Sequence, residues 1–399
     1  MQKSNRQLFF EHVAQTTTEP LSIEIERAEG IYMYGPEGQK YIDLVSGVSV
    51  SNVGHCHPQV VQAVQQQAAK YMHLMVYGEM IQAPQVQYAG LLAEQLDPSL
   101  NSVYFVNSGS EAVEGALKLA KRATGRSTIV AFQNAYHGGT HGALSILGNE
   151  SLKNAFRPLL PGITHLPFND FHSLKQIDST TACVIVEPIQ AEAGIILPED
   201  GFLSALRKRC DEVGALLIFD EIQTGFGRIG ELFAHQKYNV VPDIMTIAKG
   251  MGGGMPLGAF VAQNQLMSLL THNPALGHIT TFGGHPVSCA AAKAALEVTL
   301  FEKLVDNARH RGMQFAHLLE HHRIRSVRGS GLFLAVELDN INIPEFMGFA
   351  ARNGVVFDPF LFNSTAFRIA PPLVITEQEV NLVAAKILDL LDGFVAENG

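Results

Sequence analysis

Lys249 ends an apolar run, Ile244-Met245-Thr246-Ile247-Ala248, and is followed by Gly250-Met251-Gly252-Gly253-Gly254. The run reads as a buried strand, so its ammonium leaves the end of a core element. Burial disfavours the charged form of a lysine and lowers its pKa. A neutral amine is a nucleophile that forms a Schiff base with an aldehyde. Four of the next five residues are glycines, which let other groups come close to that amine. A second apolar run, Leu216-Leu217-Ile218-Phe219, ends in Asp220-Glu221 about one strand–helix–strand unit earlier. A carboxylate at a strand end serves either as a turn former or as a charge offered to a ligand. Asp220 and Lys249 therefore face one crevice if their strands are neighbours.

Three further stretches add chemistry. In Asn107-Ser108-Gly109-Ser110-Glu111, Ser108 and Glu111 have capping-box spacing. The same helix start, with a glycine and a hydroxyl, suits an anion such as a phosphate. Ala135-Tyr136-His137-Gly138-Gly139-Thr140 offers an aromatic ring for stacking and an imidazole. Gly225-Phe226-Gly227-Arg228-Ile229-Gly230 matches GxGxxG, but Asp220 to Thr224 separate it from the preceding strand and only a short helix can follow before Pro242. A dinucleotide fold requires the glycines directly between strand and helix. His55-Cys56-His57 sits in a turn without a nearby third ligand, so no metal is assigned there.

Strands must position these groups. Val103–Val106, Thr128–Phe132, Cys183–Val186, Leu216–Phe219, Ile244–Ala248 and Ala259–Val261 are continuous apolar runs, the signature of strands buried on both faces. They alternate with helical stretches such as Glu111–Arg122, which predicts an α/β layer fold with a mostly parallel sheet. A long helix is expected from Cys289 to Leu304 or beyond, a strand at Leu332–Val336, and a last helix from about Thr376. Residues 51–290 read as a large domain. Residues 1–50 and 291–399 read as a small α+β domain assembled from both chain ends.

The charge balance narrows the partners. Hydrophobic residues make up 47% of the chain and charged ones 17%, which suits a large core and a buried subunit interface. The net charge of −10 comes without a basic stripe, so nucleic acid is not expected as a partner. The four cysteines form no CxxC pair, as in a reduced cytoplasmic protein. The apolar patch Leu8-Phe9-Phe10 is too short for a signal sequence, and no run is long enough to span a membrane.

In this order, Asn107–Ala112, Glu187-Pro188-Ile189-Gln190, Asp220–Arg228, the Lys249 loop, Thr281-Phe282-Gly283-Gly284 and Arg368–Leu373 resemble the class III aminotransferases of the fold-type I pyridoxal-phosphate group. The likeness covers nearly the whole chain. It implies that Lys249 holds the cofactor aldehyde as a Schiff base and then moves the proton. It implies that Asp220 keeps the pyridine nitrogen protonated. Gln223 would bond the phenolic oxygen, Ser108, Gly109 and Ser110 the phosphate, and Tyr136 would stack on the ring with His137 beside it. Thr281 would reach the phosphate from a partner subunit, which implies a homodimer with shared sites. Arg368 would grip a substrate carboxylate, and Glu187 would pair with it between half-reactions.

One departure bears on the substrate. Many family members read H-G-R-T where this chain has His137-Gly138-Gly139-Thr140, and their arginine meets a substrate carboxylate. The stretch Ala143–Asn149 resembles the ω-aminotransferase branch instead. The expected activity is transfer of an amino group from ornithine, acetylornithine or a similar ω-amine to 2-oxoglutarate or pyruvate, by a ping-pong route. An aminomutase, racemase or decarboxylase would share Lys249 and Asp220. An NAD(P)-dependent oxidoreductase would use residues 225–230, and a silent scaffold would bind no cofactor.

Overall fold

The computed structural model describes residues 3–398. Its centre is a seven-stranded sheet. In chain order the strands of the whole molecule are β1 (Arg27–Glu29), β2 (Tyr32–Tyr34), β3 (Lys40–Asp43), β4 (Ser102–Val106), β5 (Thr128–Phe132), β6 (Ile163–Leu166), β7 (Thr181–Val186), β8 (Leu216–Asp220), β9 (Ile244–Ile247), β10 (Gly258–Ala262), β11 (Ile324–Ser330), β12 (Phe333–Leu338), β13 (Val355–Val356), β14 (Asp358–Pro359) and β15 (Ala366–Ile369). The central order is β4-β10-β9-β8-β7-β5-β6. Only β10 runs against its neighbours, pairing antiparallel with β4 and β9, while the other pairs are parallel.

Every residue of β7, β9 and β10 is buried. Helices cover both faces, so these strands have no solvated side to alternate toward. The edge strand β6 escaped the sequence reading. It is Ile163-Thr164-His165-Leu166, only partly buried over its first three residues, and as an edge it lacks the continuous apolar run of the centre.

The helix Gly109–Thr124 packs on this sheet through Ala112, Val113, Ala116, Leu117, Leu119 and Ala120, and ends at Gly125 with φ 67°. A side chain at Gly115 would run into the Phe260 ring of β10, so the helix lies close on the sheet. The single helix expected from Cys289 is two, Pro286–Phe301 and Leu304–Leu318, with the chain turning at Lys303 in the left-handed region at φ 54°.

Two four-stranded sheets complete the molecule, β1-β2-β3-β13 and β11-β12-β15-β14. β13 lies parallel to β3, which ties the two chain ends together. One apolar cluster joins Ile31, Ile42 and Leu44 to Phe346, Ile369, Ile387 and Leu391. The Gly225–Gly230 stretch is a packing device at this junction. Gly227 (φ 88°) meets Leu373 and Val305, and Gly230 (φ 78°) meets Arg309. Between them Arg228, fully buried, donates to the Leu332 and Pro371 carbonyls at 3.0 and 2.6 Å and to Asn52 Oδ1 at 2.6 Å. No helix among the described residues is long and apolar enough to cross a membrane.

Candidate active site

β8 and β9 are adjacent and parallel, with Asp220 opposite Thr246. Asp220 and Lys249 thus emerge at the carboxyl end of the sheet, where an open α/β fold builds its ligand crevice. Lys249 has φ 49°, a left-handed conformation that costs a non-glycine residue free energy and aims its side chain off the strand line. It lines a cavity of about 480 Å³ together with Ser108, Ser110, Tyr136, Asp220 and Gln223. Gly109, His137 and Glu187 border the same cavity. Burial is the main reason that the Lys249 pKa falls to about 8. Glu192, Asp220 and Glu187 pull it upward, and Arg368 pushes it further down.

The cradle at the helix Gly109–Thr124 departs from a simple capping box. Ser108 Oγ accepts from Glu111 N at 3.2 Å. The Glu111 carboxylate, however, reaches back past Ser108 to the Asn107 backbone N–H at 2.6 Å. Ser110 Oγ takes the Gly139 N–H at 3.2 Å, joining the helix start to the Tyr136 loop. The helix macrodipole and the first backbone N–H groups make this end attractive to an anion.

The two neighbouring carboxylates at the end of β8 split their roles. Glu221 holds the Ala234 and His235 N–H groups at 2.5 and 2.8 Å and is structural. Asp220 Oδ2 lies 2.7 Å from His137 Nδ1, both side chains almost wholly buried, and Asp220 Oδ1 accepts from Ile222 N at 3.1 Å. His137 is therefore more than a neighbour of Tyr136: its ring holds the Asp220 carboxylate. Its Nε2 is buried without a hydrogen-bond partner among the described residues.

The expected Glu187–Arg368 pair does not form. Glu187 instead accepts the backbone N–H of Tyr136 at 2.9 Å and of Ala191 at 3.0 Å. It clamps the loop that carries the aromatic ring. Burial raises its pKa to about 7, with His137 opposing and Asp220 adding to the rise. The partner of Arg368 is Glu192, whose Oε1 lies 2.6 Å from NH2. Arg368 also donates to Gln223 Oε1 at 3.1 Å and lies 3.2 Å from Asp358 Oδ2. The Gln223 amide closes the group by donating to Glu192 Oε1 at 3.2 Å. Burial alone would raise the Glu192 pKa, but Arg368 beside it leaves the carboxyl below its ordinary value.

Arg368 is fully buried in β15, and it adjoins the cavity through Gln223, which lines it. Sequence reading missed Glu192 and Asp358. Glu192 follows the Glu187-Pro188-Ile189-Gln190 stretch closely enough to have been weighed with it. Asp358 had no local signal. Thr281 is exposed and outside the cavity of this chain, while Thr280 Oγ1 accepts from Asn107 Nδ2 at 3.0 Å. His55 and His57 turn to different partners, Asp43 at 2.7 Å and Glu302 at 3.1 Å, and no cluster of three metal-ligating side chains occurs among the described residues.

The cavity suits pyridoxal phosphate. It joins a buried amine of lowered pKa, a buried carboxylate fixed by an imidazole, and an anion-attracting helix start, all around a volume ordinary for a small-molecule pocket. Known proteins agree with this fit. The family model for aminotransferase class III matches residues 13–391. The chain is 41% identical to the acetylornithine aminotransferase of Methanopyrus kandleri, covering 91% of this chain and 92% of that one. It is 40% identical to that of Methanosarcina acetivorans, covering 90% and 89%. Among solved structures, the ornithine aminotransferase of Toxoplasma gondii, which carries pyridoxal phosphate at partial occupancy, superimposes with a TM-score of 0.91 at 30% identity, over 98% of this chain and 94% of that one. The omega transaminase of Pseudomonas jessenii, in complex with PMP, gives 0.91 at 25% identity and covers 98% of each chain. The chain belongs to the class III aminotransferases, and its reaction is a pyridoxal-phosphate-dependent amino transfer.

Proposed function

We propose that the amino donor is ornithine, acetylornithine or a related ω-amine, and that 2-oxoglutarate is the acceptor. The observation that carries this reading is the buried Arg368–Glu192 pair at 2.6 Å. An arginine neutralised in this way presents no anion site to a donor that reacts through a distal amine. Once Glu192 withdraws, the guanidinium fork is free for the α-carboxylate of a keto acid. The names of the curated relatives and of the structural neighbours support the donor class. Gly139 faces open space, with no atom within 4 Å of the point where a side chain would begin, so the donor's far end meets no cation from that position.

Bound pyridoxal phosphate supplies an aldehyde and a ring that draws electron density from the substrate carbon. Lys249 would hold it and then take and return the proton at that carbon. Asp220, fixed by His137, would keep the ring nitrogen protonated. Ser108, Gly109 and Ser110 would hold the phosphate, Tyr136 would lie against the ring, and Gln223 would face its phenolic oxygen.

The working unit in this reading is a cytoplasmic homodimer in which Thr281 completes the partner's phosphate site. Support comes from Met72, Met80, Ile81, Val86, Ile279 and Phe282, large apolar side chains all exposed in the single chain. Met80, Ile81 and Val86 border one cavity with Thr280 and Gly283, which brings the two segments side by side. All four cysteines are free, in keeping with a reducing compartment. Residues 51–290 would form the large domain, and 1–50 with 291–399 the small one, as the shared cluster of the chain ends supports.

Stopped-flow measurement of the two half-reactions tests the substrate reading. Arg368→Lys keeps the charge and loses the fork. Loss of a charge-assisted contact worth roughly 1.5–3 kcal/mol should lower kcat/KM for the keto acid about ten- to a hundredfold. A donor lacking an α-carboxylate should be affected much less. Equal losses in both halves would mean that Arg368 holds the fold and not the acceptor.

A further inference from the structure

Arg368 faces two carboxylates of different kinds. Glu192 sits on the loop after β7, and its Oε2 is also held by the Leu361 N–H at 3.2 Å. Asp358 belongs to β14 and stands directly across the strand pair from Arg368, with Oδ2 3.2 Å from NH1. The Phe360 ring lies under the guanidinium, 4.8 Å from its central carbon. Glu192 has a long side chain on a loop and can swing away, whereas Asp358 has a short side chain on a backbone held in register with Arg368, so its carboxylate stays near the guanidinium.

We infer that Asp358 is a specificity-determining residue: a fixed negative charge beside Arg368 that weakens the site's hold on carboxylate substrates and so sets the affinity for the keto acid. This inference rests on the reading of Arg368 as the acceptor's anchor. An incoming α-carboxylate replaces Glu192 but arrives next to Asp358, where like charges repel. Orientation of the guanidinium does not depend on Asp358 alone. Gln223 still accepts from NH1 at 3.1 Å, Phe360 still lies beneath, and the β12–β15 ladder still holds the backbone. Removing the charge therefore takes away repulsion and leaves the fork in place. Burial raises the Asp358 pKa, and Arg368 opposes that rise.

Asp358→Asn keeps the shape and an acceptor oxygen. Calorimetric titration of the holoenzyme with glutarate, a dicarboxylate that cannot react, should show roughly three- to tenfold tighter binding in this variant, the size of a partly screened charge interaction. The KM for 2-oxoglutarate should fall by a similar factor while the rate at saturation does not rise. Asp358→Glu, which restores the charge, should return glutarate affinity toward wild type. Unchanged or weaker glutarate binding in Asp358→Asn, with binding still dependent on Arg368, overturns the inference alone. Glutarate binding that ignores Arg368→Lys removes the reading of the anchor, and the inference falls with it.

Discussion

The Lys249 amine should titrate near 8 in the cofactor-free protein, and its neighbours should move that value in opposite directions. At pH 7 an amine with a pKa of about 8 is roughly 10% neutral, against about 0.03% for one at 10.5, a ratio on the order of 300. Burial produces most of the drop, while Glu192 is the strongest of the groups that oppose it and Arg368 reinforces it. Glu192→Gln should therefore lower the titration midpoint below about 8, and Arg368→Met should raise it. Competitive acetylation with a trace of acetic anhydride across pH, read at the Lys249 peptide by mass spectrometry, measures the neutral fraction directly. Linkage fixes the sign for stability. Between about 8 and the ordinary 10.5 the unfolded chain binds more protons than the folded one, so stability gained from this group rises with pH through that window. Below it the burial cost is fully present. A midpoint near 10.5, or a shift of the same sign in both variants, would refute the account of the site as a buried lysine poised between unlike charges.

Gly258→Ala would drive a methyl into the Ser108 carbonyl at the start of the anion cradle; cofactor affinity by equilibrium dialysis should fall about tenfold or more, as expected for loss of a charge-assisted contact. Arg228→Ala leaves the Leu332 and Pro371 carbonyls buried without their donor, and denaturant unfolding should show a loss of about 2–4 kcal/mol. The Glu187 carboxyl, raised to about 7 from an ordinary 4.5, binds a proton more tightly in the folded chain. It should make stability fall as pH rises from about 4.5 to 7, by on the order of 1–3 kcal/mol. Thermal melts of wild type and Glu187→Ala across that range check the slope, which should flatten in the variant.

The central sheet and the groups at its strand ends were legible because their signals are local. Continuous apolar runs marked β5, β7, β8, β9 and β10 to within two residues at each end, since strands buried on both faces cannot carry polar alternation. Lys249 and Asp220 were readable for the same reason: a charge is conspicuous where a buried strand stops. Chain continuity also allowed the two to be placed on nearby strands, and the register of β8 with β9 agrees. Where the signal was weak the reading failed. The half-polar edge strand β6 went unseen, and one helix was drawn through the turn at Lys303.

What the tertiary structure alone decided is who faces whom. Glu187 and Glu192 lie on the same loop between β7 and the helix Phe202–Val213, and both are carboxylates near the site. Which one meets Arg368 depends on how that loop turns, and it turns Glu187 onto the Tyr136 and Ala191 backbone and Glu192 onto the guanidinium. His137 meets Asp220 from a loop 83 residues earlier in the chain, and Asp358 meets Arg368 across the β14–β15 pair. An ion pair between remote residues leaves no periodicity in a chain, because its energy depends on a distance that only packing sets. The sequence determined that a strand-end lysine, a strand-end carboxylate and a glycine- and serine-bearing helix start exist on an α/β scaffold. Only the folded chain determined how deeply they are buried and which charges face them: burial lowers the pKa of Lys249 with its charged neighbours adjusting it, and Glu192 governs the availability of Arg368.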